Sequence, residues 1–274
     1  MANPQLEGLV IAVTGGAAGI GRQIAEQAAW SGARVAIGDR DAAGARATAD
    51  ELGGGMRGYS LDVTDEESYQ AFLESVTADL GPIDVLVNNA GVMWVGPFDE
   101  EPEKATEAMF AVNVLGVIRG IRLVAPRMRE RGGGQIITIA SAASKVAPPG
   151  ESSYAASKHA VLGYLTGVRE ELRGSGVVIS AILPGVVDTE LAKGTATGAA
   201  KLLSPDDVAD AVLAVIAKPR FVTTIPSYVG PLVAVAGLLP QGLRDFLMRK
   251  MVPDQVESAS AAERRDYQKR ALGS

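Results

Sequence analysis

The sequence predicts a doubly wound α/β fold, a parallel sheet of about seven strands with helices on both faces. Three observations carry this reading. Strand-like and helix-like stretches alternate through the first 225 residues, the order that builds right-handed βαβ units. Hydrophobic residues make up 47% of the chain and aromatics only 5%, which suits a core of Val, Ile, Leu and Ala between helices and a buried sheet. Several strand-like stretches lack polar alternation, as expected where helices cover both sheet faces.

In chain order, strands are predicted at Leu9 to Thr14, Arg34 to Asp39, Gly58 to Leu61, Val85 to Asn88, Gln135 to Ala140, Val177 to Leu183 and Phe221 to Ile225. Helices are predicted near 20–31, 42–52, 66–80, 103–131, 153–173 and 206–217. The last of these opens on Ser204-Pro205-Asp206-Asp207, a capping serine, a proline at the first helical position and two early carboxylates. Residues 1–225 read as one domain, and 226–274 as an extension.

Composition excludes several kinds of chemistry. With 26 basic and 32 acidic residues the net charge is −6, and the absence of a dense basic cluster argues against nucleic acid as a partner. The chain has no cysteine, which removes thiol catalysis, disulfides and cysteine metal sites. Its one histidine, His159, cannot build a metal site alone and reads as a solvent-facing helix position, so no metal is expected. The apolar stretch Leu9 to Val13 is too short for a secretory signal and lacks a basic leader, so the expectation is a soluble cytoplasmic protein. The uncharged run from Phe221 to Leu243 contains Pro226, Gly230, Pro231, Gly237, Pro240 and Gly242, which argues against a membrane-spanning helix and leaves a surface-seeking segment open.

Two local patterns point to chemistry. The turn Thr14-Gly15-Gly16-Ala17-Ala18-Gly19-Ile20-Gly21 joins the first strand to the first helix, where glycines permit close backbone approach and the helix N-terminus attracts a pyrophosphate. Its spacing, G-x-x-x-G-x-G, departs from the G-x-G-x-x-G fingerprint. Asp39, ending the second strand, can accept both ribose hydroxyls of NAD and repels the 2′-phosphate of NADP. Arg40 beside it pulls the other way, so NAD is favoured and NADP is the alternative. Tyr154 and Lys158 lie four residues apart, hence on one helix face, where an ammonium favours the phenolate and yields an acid/base group. The same pair is also what a half-buried tyrosine beside a solvated lysine looks like.

The spacing Thr-Gly-x-x-x-Gly-x-Gly and the motifs that follow resemble the short-chain dehydrogenase/reductase family in its single-domain, Rossmann-type form, over residues 5 to 225. Leu61-Asp62-Val63 is similar to the family's adenine contact, and Asn88-Asn89-Ala90-Gly91 to the turn that closes the fourth strand beside the cofactor. Asn113 matches the helix asparagine, and Ser141 precedes Tyr154 by the family's usual 13 residues. Pro184-Gly185-Val186-Val187-Asp188-Thr189 matches the segment whose threonine bonds the nicotinamide carboxamide. The resemblance implies a catalytic set of Asn113, Ser141, Tyr154 and Lys158. It implies cofactor contacts from Gly15, Ala18, Gly19, Ile20, Gly21, Asp39, Arg40, Asp62, Val63, Asn89, Ala90, Gly91, Tyr154, Lys158, Pro184, Gly185, Val187 and Thr189. In these roles Tyr154 exchanges the hydroxyl proton, Lys158 lowers the tyrosine pKa and holds the nicotinamide ribose, Ser141 bonds the substrate oxygen, and Asn113 holds a water that links Lys158 to solvent. Taken singly, Asp62 is equally a strand-end cap, the asparagine pair an Asx-turn, Asn113 a locally satisfied helix residue and Ser141 a loop serine.

Around the reacting carbon, Met93 and Trp94, Val146 and its neighbours to Pro149, and the loop from Leu191 to Leu203 are largely apolar, which points to a lipophilic secondary alcohol or ketone. Residues 192–198 have a lid-like composition. Many family members end in an Asp-Gly-Gly terminus that builds a tetramer, whereas this chain continues past Pro226. That segment could cover the substrate mouth, contact a second subunit or rest on a membrane surface, and its charged turn Glu263-Arg264-Arg265-Asp266 reads as a solvated or frayed helix. The long helices near 103–131 and 153–173 favour a homodimer, with a homotetramer as the alternative. Competing functions are a non-catalytic NAD sensor or scaffold and an NADPH-dependent ketoacyl or carbonyl reductase. A nucleotide-sugar epimerase or dehydratase shares Tyr-x-x-x-Lys but needs a larger substrate domain.

Overall fold

The computed structural model describes residues 6–198 and 201–272. The apolar runs form seven strands: β1 (Val10–Thr14), β2 (Arg34–Asp39), β3 (Arg57–Ser60), β4 (Val85–Asn88), β5 (Gly134–Ile139), β6 (Val177–Pro184) and β7 (Val222–Ile225). They pair in parallel in the order β3-β2-β1-β4-β5-β6-β7. The chain therefore reverses its winding between β1 and β4, and that crevice at the carboxyl ends of the strands is where such sheets bind ligands.

Helices cover both faces of the sheet. On one face α3 (Glu66–Leu80), α5 (Val117–Glu130) and α6 (Ser152–Glu171) bury Tyr69, Phe72, Ile121, Met128 and Leu165. On the other, α1 (Gly19–Trp30), α2 (Ala42–Leu52) and α7 (Pro205–Ala217) bury Ile24, Ala28, Ala45, Val208 and Val212. The start of α7 carries the expected cap: Ser204 Oγ accepts from the Asp207 N–H at 3.2 Å, and Asp207 Oδ2 accepts from the Ser204 N–H at 2.8 Å. Among the described residues, 103–130 is the one helical stretch long and apolar enough to cross a membrane, and half of its most apolar part is buried inside the fold.

Two expectations need correction. The helix expected over 103–131 is not one regular α-helix: α4 (Glu103–Phe110) and α5 are joined by a π-helical stretch, Ala111–Gly116. This wide turn holds Asn113 against the loop after β4 and seats Gly116 against Val63, where a Cβ would lie 2.9 Å from the valine methyl. The C-terminal end is not a solvated or frayed helix either. Beyond β7 come α8 (Val229–Ala236), α9 (Gln241–Met251), α10 (Gln255–Ser258) and α11 (Ala261–Leu272). In α11, Glu263, Arg265 and Asp266 point outward, whereas Arg264 is 1% exposed and Leu272 is also buried. The guanidinium tolerates burial because backbone carbonyls accept from its two Nη groups, while Nε has no partner among the described residues. By contrast α9 buries no residue, and Val235, Leu238, Leu243 and Phe246 are exposed along α8 and α9. The run from Phe221 to Leu243 is thus split among β7, a helix of 8 residues and the start of α9.

Candidate active site

The turn after β1 interlocks with the turn after β4. Thr14 Oγ1 accepts from the Asn89 and Ala90 N–H groups at 3.0 and 3.1 Å, and Asn89 Nδ2 donates to the Thr14 and Gly15 carbonyls at 3.0 and 2.8 Å. Gly15 has φ +64°, and a Cβ there would lie 2.9 Å from Ala90 Cα, so both conformation and contact demand glycine. α1 begins at Gly19 with no side-chain cap, which leaves its first-turn N–H groups to a ligand. Asp39 Oδ2 accepts from the Ala17 N–H at 3.1 Å and Oδ1 from the Asp41 N–H at 3.0 Å, so this carboxylate also braces the glycine turn. Asp62 Oδ1 accepts from the Thr64 N–H at 2.8 Å, a strand-end turn at a residue that also faces the ligand crevice.

A cavity of about 820 Å³ opens over these turns. Of the sequence-predicted residues, Gly15, Ala18, Gly19, Ile20, Asp39, Arg40, Asp62, Val63, Asn89, Ala90, Gly91, Met93, Ser141, Val146, Tyr154, Lys158, Pro184, Gly185, Val187, Thr189 and Leu191 line it. Three do not. Gly21 sits behind the wall, where a Cβ would be 2.2 Å from the Gly15 carbonyl oxygen, so its part is to let α1 approach the turn. Trp94 is buried with Met109 and Ala105 beneath α4 and is core. Asn113 also lies behind the wall: its Oδ1 accepts from the Val92 N–H and its Nδ2 donates to the Val92 carbonyl, each at 2.9 Å, with Ser157 Oγ at 3.1 Å from Nδ2. Ser157 in turn donates to the Tyr154 carbonyl at 2.7 Å, which connects Asn113 to the helix that carries the tyrosine.

Tyr154 and Lys158 share the inner face of α6 and are 7% and 6% exposed. Lys158 Nζ stands 5.6 Å from the Tyr154 ring centre and donates to the Ile139 carbonyl at 3.2 Å. Burial lowers the Lys158 pKa to about 8. Burial also pushes the Tyr154 hydroxyl up, the nearby Glu151 carboxylate adds to this, and a hydrogen bond with Ser141 opposes it. The expected depression of the tyrosine by Lys158 is therefore outweighed in the protein chain: desolvation disfavours both charged forms. Ser141 Oγ accepts from the Ala143 N–H at 3.1 Å, which fixes the hydroxyl on a short 3₁₀ turn.

The comparisons agree with this geometry. The family model for short chain dehydrogenase matches residues 9–199. The chain belongs to the short-chain dehydrogenase family. Among curated relatives it is 35% identical over 267 residues to the probable oxidoreductase EphD of Mycobacterium tuberculosis, covering 89% of this chain and 45% of that protein. The chain thus spans about half the length of that relative. It is 42% identical over 190 residues to D-threitol dehydrogenase of Mycolicibacterium smegmatis, 68% of this chain and 73% of that one. A short-chain dehydrogenase/reductase from Burkholderia phymatum, solved with NAD, superposes with a TM-score of 0.78 at 27% identity, covering 91% of this chain and 98% of its own.

Within this family fold, four cavity-side residues escaped the sequence reading. Glu151 and Tyr267 line the cavity, and Gln255 does so while pinning the lid-like loop, its amide exchanging two 2.8 Å bonds with Ala196. Arg264 donates to the Leu191, Lys193 and Met93 carbonyls at 3.2, 3.0 and 3.0 Å, and Tyr267 Oη accepts from the Met93 N–H at 3.2 Å. Two signals could have found three of them: Glu151 stands one helical turn before Tyr154, and 264, 267, 268, 271 and 272 fall on one face of a helix; no local signal marks Gln255. Positions 199 and 200 of the loop expected at 191–203 lie outside the described residues.

Proposed function

We propose that the protein is an NAD(H)-dependent oxidoreductase that interconverts a lipophilic secondary alcohol and its ketone, with Tyr154 as the acid/base. The observation that carries this reading is the placement of Tyr154, Lys158 and Ser141 in one cavity with the glycine turn and Asp39. The residues fit a nicotinamide dinucleotide: an uncapped helix N-terminus suits the pyrophosphate and a carboxylate at the end of β2 suits the ribose diol. A nicotinamide ring supplies the hydride acceptor or donor, which no side chain can.

Tyr154 Oη takes the alcohol proton in oxidation and returns it in reduction. Ser141 Oγ bonds the same substrate oxygen and stabilises charge that develops there. Lys158, protonated below about pH 8, favours the phenolate and holds the cofactor ribose. Asn113 acts one step back: it holds the π-helical turn to the loop after β4 and connects it to α6. Asp39 favours NAD over NADP, in keeping with the NAD found in the Burkholderia phymatum structure.

We assign residues 1–225 to the cofactor-binding and catalytic domain and the segment after 225 to an extension whose α10 and α11 cover the substrate. Arg264 and Gln255 support this, since they tie the loop at 191–196 to the extension. A homodimer through the long helices is the assembly we favour, supported by Phe110 and Leu115 exposed there.

Tyr154→Phe tests the function: NADH binding is retained while oxidation of a panel of lipophilic secondary alcohols falls by about three orders of magnitude or more. Near-normal turnover in the variant refutes the assignment. Binding of NADH by the unaltered protein with no turnover of any alcohol or ketone on the panel assigns it instead to a non-catalytic sensor.

A further inference from the structure

We infer that Glu151 forms a second recognition point in the substrate cavity, its carboxylate accepting a hydrogen bond from a hydroxyl on the carbon next to the reacting one. The substrate class is then an apolar-tailed vicinal diol, or the matching α-hydroxy ketone, rather than a simple secondary alcohol. This rests on the proposed alcohol–ketone reading of the site.

Glu151 lies at the N-cap position of α6, one turn before Tyr154, and it lines the cavity while only 7% exposed. No described residue donates a hydrogen bond to its carboxylate or forms an ion pair with it. The compensating positive charge is Arg264, whose Nη groups donate to the carbonyls of Leu191, Lys193 and Met93 and whose Nε bonds no described residue, so no hydrogen bond joins the two side chains. Glu151 is therefore an acceptor on the cavity wall, stabilised by charge at a distance and without a donor among the described residues. Burial pushes its carboxyl up to about 7, as expected of an acid that lacks a donor. Its oxygens open to the cavity rather than being sealed in the core, so a ligand that displaces solvent there must supply a donor in its place.

Met93, Val146, Pro148 and Leu191 make most of the surrounding wall apolar. A single acceptor in an apolar wall discriminates strongly, because an analogue without the donor leaves the acceptor unpaired. Glu151 also acts on the chemistry. Its charge pushes the Tyr154 hydroxyl up and so opposes the phenolate. A substrate hydroxyl bonded to Glu151 disperses that charge and relieves the opposition, coupling recognition to proton transfer.

The test uses the full chain with NAD and three matched probes: octane-1,2-diol, 2-octanol and 1-methoxy-2-octanol. All three present a secondary alcohol on the same apolar chain, but only the diol has a donor on the adjacent carbon. The unaltered enzyme is expected to prefer the diol over the ether in kcat/KM by about tenfold or more. Glu151→Leu is expected to erase that preference, bringing the diol-to-ether ratio of kcat/KM to about one, whatever happens to the 2-octanol rate. Glu151→Gln, which keeps an acceptor oxygen, is expected to retain part of it. Equal use of diol and ether by the unaltered enzyme, or an unchanged ratio in Glu151→Leu, overturns this inference and leaves the alcohol–ketone reading standing. Failure of all three probes and of the wider alcohol and ketone panel, with NADH still binding, overturns both.

Discussion

Lys158 is predicted to destabilise the fold, and Lys158→Met isolates this. The ammonium is buried, and its pKa falls from 10.5 to about 8. A lowered pKa in a base means that the unfolded chain binds more protons between these values, so stability from this group rises with pH across that window. The penalty is fully present below about pH 8 and gone above about 10.5, and at roughly 1.4 kcal/mol per pH unit it amounts to about 3 kcal/mol at pH 7. Methionine fills similar space without the charge, but gives up the bond to the Ile139 carbonyl and the contact with the Tyr154 ring. Those losses cost about 1 kcal/mol together. The variant should therefore be about 2 kcal/mol more stable at pH 7, and slightly less stable than the unaltered protein above pH 10.5, while losing turnover. Urea unfolding of both proteins without cofactor, at pH 7 and pH 10.5, measures the difference. A variant that is less stable at pH 7, or a stability difference independent of pH, would refute the reasoning that charge burial at this site is uncompensated in the chain alone.

Asp39→Ala is expected to raise the KM for NAD at least tenfold while changing that for NADP far less. Because the carboxylate also braces Ala17 and Asp41, equal effects on both cofactors would show that it acts only by holding the glycine turn. Arg264→Met should leave three carbonyls without their donor and loosen α11 by about 2 kcal/mol or more. Limited proteolysis should then cut within 260–272 sooner and the substrate KM should rise with kcat little changed; unaltered cleavage and KM would mean that α11 does not cover the site. These outcomes are separable from the Tyr154→Phe result, which alters turnover without loosening the chain.

Much of the crevice beside the glycine turn was legible because it is written locally. Gly15 and Asp39 sit at strand ends, and a strand followed by a glycine turn and a helix places its backbone N–H groups in one way only. The same locality explains why Gly21 and Trp94 were assigned to the wrong side of the wall: a motif gives the position along the chain, whereas which atoms face the cavity depends on what packs behind them. Asn113 shows the intermediate case, with its residue type and neighbours readable but the π-helical turn invisible, since that turn follows from bonds to Val92 across the fold.

By itself the sequence determined the parallel α/β order, the strands to within a residue or two, and the spacing that sets Tyr154 beside Lys158, because hydrophobic period and helix geometry are properties of neighbouring residues. Only the tertiary structure decided how deeply that pair is buried and which C-terminal residues pack beside the cavity. Desolvation of Tyr154 and Lys158 needs the surrounding sheet and helices, and the burial of Arg264 against carbonyls of residues 93, 191 and 193 needs contacts across more than 70 positions of chain. A charged residue in a C-terminal turn reads as solvated until the partners that accept its hydrogen bonds are brought to it, and folding is what brings them.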